Sequence, residues 1–129
     1  MKPRTVLQMH LDRVKEHLPQ KPKDFKPGED ASDIVILHLG QAIQMVMDVA
    51  LRLCSRLYLG SPPNHQEAFH KLSSDGFIEK SLAKRLSDAA KLRHEMVHFY
   101  EKLDKKSFYK LAKNGRSDFE AFLSLSETL

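Results

Sequence analysis

Between Ser32 and Tyr58 apolar residues return every three or four positions: Ile36, Leu39, Ile43, Val46, Ala50, Leu53 and Leu57. That period fits an α-helix and no strand. Ile34, Leu37, Met45 and Val49 put further apolar groups on other faces, so this helix must be covered on more than one side. Ser32 is the expected N-cap, and Asp33 suits the positive helix end. Such a helix cannot stand alone, and the rest of the chain supplies its neighbours. Thr5 to His17 predicts a first helix, with Val6, Met9, Leu11 and Val14 on or near one face. Pro19, Pro22, Pro27 and Gly28 then mark a Pro-rich loop, about 18–31, in which helix cannot persist. It is either mobile or draped across the bundle.

Gly60-Ser61-Pro62-Pro63 ends the central helix, and a short helix runs from about His65 to Leu72 before Ser73-Ser74-Asp75-Gly76. A long helix starts near Ile78. Leu103-Asp104 breaks it, and Asp104 can cap a last helix carrying Phe108, Leu111, Phe119, Phe122 and Leu123. Asn114-Gly115 either kinks that helix or splits it, with Ser117 and Glu120 then as a capping box. One continuous, locally weakened helix is the expectation. Only five glycines and no alternating β-branched run argue against a sheet. The sum is an all-α chain, a single domain over 1–129, folded as an antiparallel four-helix bundle with an extra short helix.

The 129 residues suffice for one sound core, and 41% hydrophobic with 29% charged residues is a globular composition rather than a disordered one. No uninterrupted apolar run approaches the roughly 20 residues of a membrane span. The N-terminus has no signal-peptide core. One cysteine, Cys54, excludes an internal disulfide and suits a reducing cytoplasm; on the apolar side of its helix it reads as a buried, inert thiol. The charge of +4 permits polyanionic partners without demanding one.

Near the end of the long helix, Arg93-His94-Glu95-Met96-Val97-His98-Phe99-Tyr100 gathers polar groups that core packing does not ask for. His94-Glu95-x-x-His98 matches a zinc-peptidase H-E-x-x-H, in which two imidazoles four apart meet one metal. The third ligand of that site is missing: Glu101 and Asp104 stand where the extended motif wants glycine and histidine. Arg93, His98 and Tyr100 instead spell R-x4-H-x-Y. An Arg fork binds phosphate and offsets charge in a pentacoordinate state, and a histidine moves protons near neutral pH without any metal. On an ideal helix Arg93 and His98 lie about 140° and about 7.5 Å apart, so one helix alone makes a poor site. Arg93 and Tyr100 fall nearly in line. A second copy of the helix would converge the groups, so the geometry asks for a homodimer. On the central helix Gln41, Gln44, Asp48 and Arg52 form a polar stripe. It is either a solvated face with an Asp48–Arg52 pair or a face turned toward the cluster.

Ala42-Ile43-x-Met45-Val46-Met47-Asp48-Val49-Ala50, Phe69-x-x-Leu72, Gly76-x-Ile78, Leu82-Ala83-x-x-Leu86 and Leu92-Arg93-His94-x-Met96-Val97-His98-x-Tyr100 together resemble the HepT-like toxins of the HEPN superfamily. Leu103-Asp104 through Phe108-Tyr109 extends the likeness, which covers about residues 30–125. The resemblance implies a HEPN-like, homodimeric helical fold and a metal-independent endoribonuclease, without cofactor. Arg93 and His98 of both copies would line the dimer cleft and cut RNA. His94 stands where relatives commonly carry asparagine and reads as an accessory group, as does Asp48. The resemblance also implies a partner, an MNT-type nucleotidyltransferase antitoxin that adenylylates Tyr100. A non-catalytic HEPN dimer that scaffolds a partner is the alternative.

Overall fold

The computed structural model describes residues 2–98 and 100–129, with Tyr100 described in its backbone alone. Among these residues there are six α-helices and no strand: α1 (Pro3–His17), α2 (Asp30–Arg56), α3 (His65–Ser74), α4 (Lys80–His98), α5 (Lys105–Asn114) and α6 (Arg116–Ser126). Short 3-10 turns, Pro22–Asp24 and Tyr100–Lys102, sit in two of the connections.

The apolar seam of α2 does what its period predicts. Ile36, Leu39, Ile43, Val46, Ala50 and Leu53 are all buried, and Leu57 is partly so. Each such side chain contributes about 1.5–3 kcal/mol of transfer free energy. α1, α3, α4 and α6 all pack on α2, which makes it the bundle's axis. Contrary to the sequence expectation, α2 is long and apolar enough to cross a membrane by length and composition. Within this apolar stretch 56% is buried, against the four helical neighbours. Cys54 lies on it fully buried, with Sγ 3.7 Å from the Ala68 carbonyl oxygen, and burial pushes the thiol pKa up. The inert role expected of it fits these surroundings.

Three local expectations need correction. Ser32 does not cap α2. The helix starts two residues earlier, and Ser32 is buried with Oγ accepting the Lys26 backbone N–H at 2.9 Å, while Asp33 accepts that of Gly28 at 2.8 Å. Both bonds tie the Pro-rich loop to the start of α2. On α1 the buried stripe is Leu7, Leu11 and Val14, and Met9 is 50% exposed, because a step of four rather than two keeps the helical face. The last helix is split. Gly115 ends α5 and begins α6, so neither the continuous helix nor the Ser117 cap forms; Glu120 instead receives the Arg116 guanidinium.

The Pro-rich loop is draped. Phe25 is buried and stacks on Phe108 with ring centroids 5.8 Å apart, and the Tyr109 hydroxyl donates to the Pro19 carbonyl at 2.6 Å. Aromatic packing of this kind is worth about 0.5–1.5 kcal/mol beyond area burial. The loop is thereby fastened across α5.

Two expectations test this packing. A Cβ at Gly115 would lie 2.7 Å from the Leu111 carbonyl oxygen, a backbone atom that cannot simply swing away. Helix propensity alone favours Gly115→Ala by about 1 kcal/mol. The close approach should reverse that sign and destabilise by about 1–3 kcal/mol, read as a lower denaturant midpoint. The second concerns His10 on α1 and His38 on α2, whose Nδ1 atoms are 2.9 Å apart. Burial first, then positive neighbours His10, Arg13 and His17, push the His38 pKa below its ordinary 6.5. The unfolded chain therefore binds the proton more readily. This contribution to stability is complete above about pH 6.5 and is lost as pH falls through the lowered folded value. Melting temperature should drop on acidification below pH 6.5, and His38→Gln should flatten that slope.

Candidate active site

α4 reaches its polar cluster after burying Ala83, Leu86, Ala89 and Ala90. Small alanines let this helix lie close to its neighbours. Met96 of α4 packs against Gly40 of α2, where an added Cβ would meet its Cε at 2.8 Å. Three residues before Met96, half-buried Arg93 donates from Nε to the Gly40 carbonyl at 3.3 Å. A helix-interior carbonyl thus takes a second donor and fixes the root of the guanidinium. Neither Glu101 nor Asp104 holds Arg93. Asp104 caps α5, accepting from Ser107 N at 3.1 Å and from its hydroxyl at 2.7 Å, and these bonds hold its carboxyl below the usual range.

His94 and His98 are exposed, and their rings lie 4.4 Å apart at 45°. This follows from their spacing, since side chains four apart stand above one another on a helix. A cleft of about 440 Å³ takes in Arg93, His94 and His98 together with Asn64, His65 and Gln66. The last three belong to the cap and first turn of α3. Asn64 fixes that turn, its Oδ1 accepting the Glu67 N–H at 2.9 Å. The positive end of α3 therefore adds to the cation of Arg93 in one opening. The 140° between Arg93 and His98 is bridged within one chain because α3 forms the opposite wall.

Sequence reasoning missed Asn64, His65 and Gln66. The Pro-Pro-Asn run signals where α3 starts, but nothing in it says that this start faces α4. Asp48 is exposed and accepts from Gln44 Nε2 at 2.7 Å, outside the side chains that line the cleft. The side chain of Tyr100 lies outside the described residues. Its backbone opens a 3-10 turn after α4 has closed at His98, so the helical register that would line it up with Arg93 stops short of it. For zinc, among the described residues no three side chains from His, Cys, Asp and Glu are grouped as ligands.

The sequence profile of a family described as Ribonuclease HepT-like matches residues 7–125. The chain belongs to the HepT-like family. Solved structures agree on the fold. A tri-AMPylated Shewanella oneidensis HEPN toxin in complex with MNT antitoxin superposes with a TM-score of 0.83 at 22% identity, covering 98% of this chain and 95% of that one. A toxin–antitoxin complex with AMP-PNP gives a TM-score of 0.85 at 22% identity, covering 97% and 94%. A tyrosine-to-alanine mutant of the pair MntA–HpeT gives 0.83 at 20% identity, covering 98% and 96%. No protein of curated function matches the chain. The HepT-like profile spans α1 through α6, so the family includes the draped loop and the first helix as well as the stretch from residue 30 onward.

Proposed function

We propose that this HepT-like chain is the toxin of a HEPN/MNT toxin–antitoxin pair: a cytoplasmic, metal-independent endoribonuclease, active as a homodimer. The observation that carries the reading is the shared cleft, in which an anchored arginine and two adjacent, mutually tilted imidazoles meet the first turn of α3. With Nε tied to Gly40, the terminal nitrogens of Arg93 are the atoms to engage a phosphodiester. His98 takes the proton from a ribose 2′-hydroxyl. O2′ then bonds to phosphorus, the P–O5′ bond breaks, and O5′ leaves with a proton. Arg93 and the α3 end stabilise the charge that builds on the phosphoryl oxygens. A second copy of α4 across the dimer supplies the imidazole that protonates O5′. His94, its ring 4.4 Å from that of His98, limits the motion of that ring. Asp48, bonded to Gln44, takes no step.

Control is assigned to Tyr100. A partner nucleotidyltransferase joins the phenolic oxygen to the α-phosphate of ATP and releases pyrophosphate. The adenylate then brings bulk and negative charge to a cleft built for phosphate, excluding RNA by occlusion and repulsion. The tri-AMPylated HEPN toxin with its MNT antitoxin and the complex with AMP-PNP support this reading by their likeness to the chain.

Cleavage should survive EDTA, leave 2′,3′-cyclic phosphate ends, and spare DNA, which lacks the nucleophile. His98→Ala should lower the rate by about 10²–10⁴-fold. Arg93→Lys keeps the charge but not the fork and should also be badly impaired. Variants that cut RNA like the parent reject the assignment.

Tyr100→Phe removes the acceptor oxygen and keeps the ring. Co-expressed with a cognate nucleotidyltransferase, the parent should gain adenylate mass and lose toxicity. Tyr100→Phe should stay unlabelled at this position and toxic. Equal labelling of both, mapped by peptide mass, rejects Tyr100 as the acceptor.

A further inference from the structure

Away from the cleft, the draped loop and α5 enclose a groove of about 760 Å³. Lys23 and Lys26 line the loop wall, and Lys105, Lys106, Lys110 and Lys113 line the α5 wall. Lys106, Lys110 and Lys113 follow steps of four and three, so they share one face of the helix. All six lysines are exposed, and no acidic side chain lines the groove. Among the described residues none of the six makes an ion pair. Elsewhere several basic groups are paired: Arg4 with Glu127, Lys71 with Asp75, Lys84 with Asp88, and Arg85 with Asp118. Asp104, the acid beside the start of α5, is committed to Ser107.

Six like charges held together repel one another, and the fold maintains them there. Phe25 clamps the loop against Phe108, and Tyr109 bonds Pro19, so the two lysine walls face each other across a fixed floor. We infer that this groove is a polynucleotide-binding exosite that holds the phosphate backbone of RNA beside the cleft. The choice of RNA rests on the ribonuclease reading; the binding of a polyanionic strand does not. A protein partner is disfavoured by chemistry. Protein interfaces are anchored by exposed aromatic or apolar groups and are poor in lysine. Here the aromatic rings are buried, 3% exposed for Phe25 and 5% for Tyr109, and the charged groups that line the groove are all lysine ammoniums. Point charges without forks suit a backbone read regardless of base. Lys105 follows His98 by seven positions, a reach of at most about 25 Å, so one strand can touch both places.

The test measures binding, not cleavage. In a His98→Ala background, the affinity for a labelled single-stranded oligouridylate is followed between about 50 and 200 mM salt. Six phosphate contacts would set a slope of up to about 4 in log K against log salt. Neutralising Lys23, Lys26, Lys106 and Lys110 to glutamine should lower that slope by nearly 3, with about a fourfold loss of affinity per lysine at 0.15 M salt. The control neutralises Lys2, Lys15, Lys80 and Lys91, also exposed, and removes the same charge from other surfaces. It should move the slope far less. Equal effects of the two sets, or no effect of the groove set, overturn the exosite. So does loss of polyglutamate binding by the groove set with RNA binding intact, which would assign the groove to an acidic protein. Unchanged thermal melts show that the variants fold. If the parent with His98 intact never cuts RNA while the groove set still lowers RNA binding, the nuclease reading fails and the exosite stands.

Discussion

A missing side chain at Gly40 sets how close α4 can come to α2, and much of the molecule depends on that distance. Met96 fills the space a Cβ would take, and Arg93 reaches the carbonyl of the same residue. One glycine therefore serves packing and chemistry together. Gly in a helix interior costs about 0.5–1 kcal/mol relative to alanine. Here the loss is offset by the Met96 contact and by a hydrogen bond from a charged donor, worth about 1.5–3 kcal/mol. The anchor also removes rotamer freedom from a long side chain before any anion arrives. That reduces the entropy lost on binding, which is how preorganisation raises affinity.

Because the site stands on α4 and the first turn of α3, its geometry inherits the stiffness of the bundle. α3 packs on both α2 and α4, and Phe69 on α3 meets Phe122 on α6 edge-on at 5.6 Å. The wall opposite Arg93 is thus fixed from behind by the aromatic core. Rigid elements hold reacting groups more closely than loops do. Such a site has little room for control by shape change, and a covalent group added at its rim is a more direct way to close it.

Helix content was legible because the signal is redundant. Seven apolar residues at steps of three and four on α2 overdetermine its buried face, and six of them are fully buried. Caps carry less information. Ser32 and Asp104 have the same kind of side chain for the task, yet only Asp104 caps, because Ser32 is claimed by the Lys26 amide of a loop arriving from elsewhere. At Gly115 the sequence offered a weak helix former, and the chain uses it to close α5 on the Leu111 carbonyl and to begin α6. On α1, Met9 lost its place to Leu7 because local spacing alone does not say which of two neighbouring stripes faces α2.

The candidate site divides along the same line. Arg93, His94 and His98 were legible because one helix carries all three, and helical spacing alone brings the imidazoles together. The other wall came from residues more than twenty-five positions away, Asn64 to Gln66, whose approach depends on how α3 docks. Tyr100 sits where local spacing stops being informative, since α4 closes at His98 and the chain passes into a 3-10 turn. That change of backbone has a chemical consequence for the control assigned to it. A tyrosine held rigidly in the helix would meet a modifying enzyme only along one fixed direction. On a short turn with poorer hydrogen-bond geometry, less backbone order has to be broken to present the phenol to a second active site. Under the proposed assignment, a tyrosine just past the end of α4 can be reached by a modifying enzyme while Arg93 and His98 keep their places on the helix.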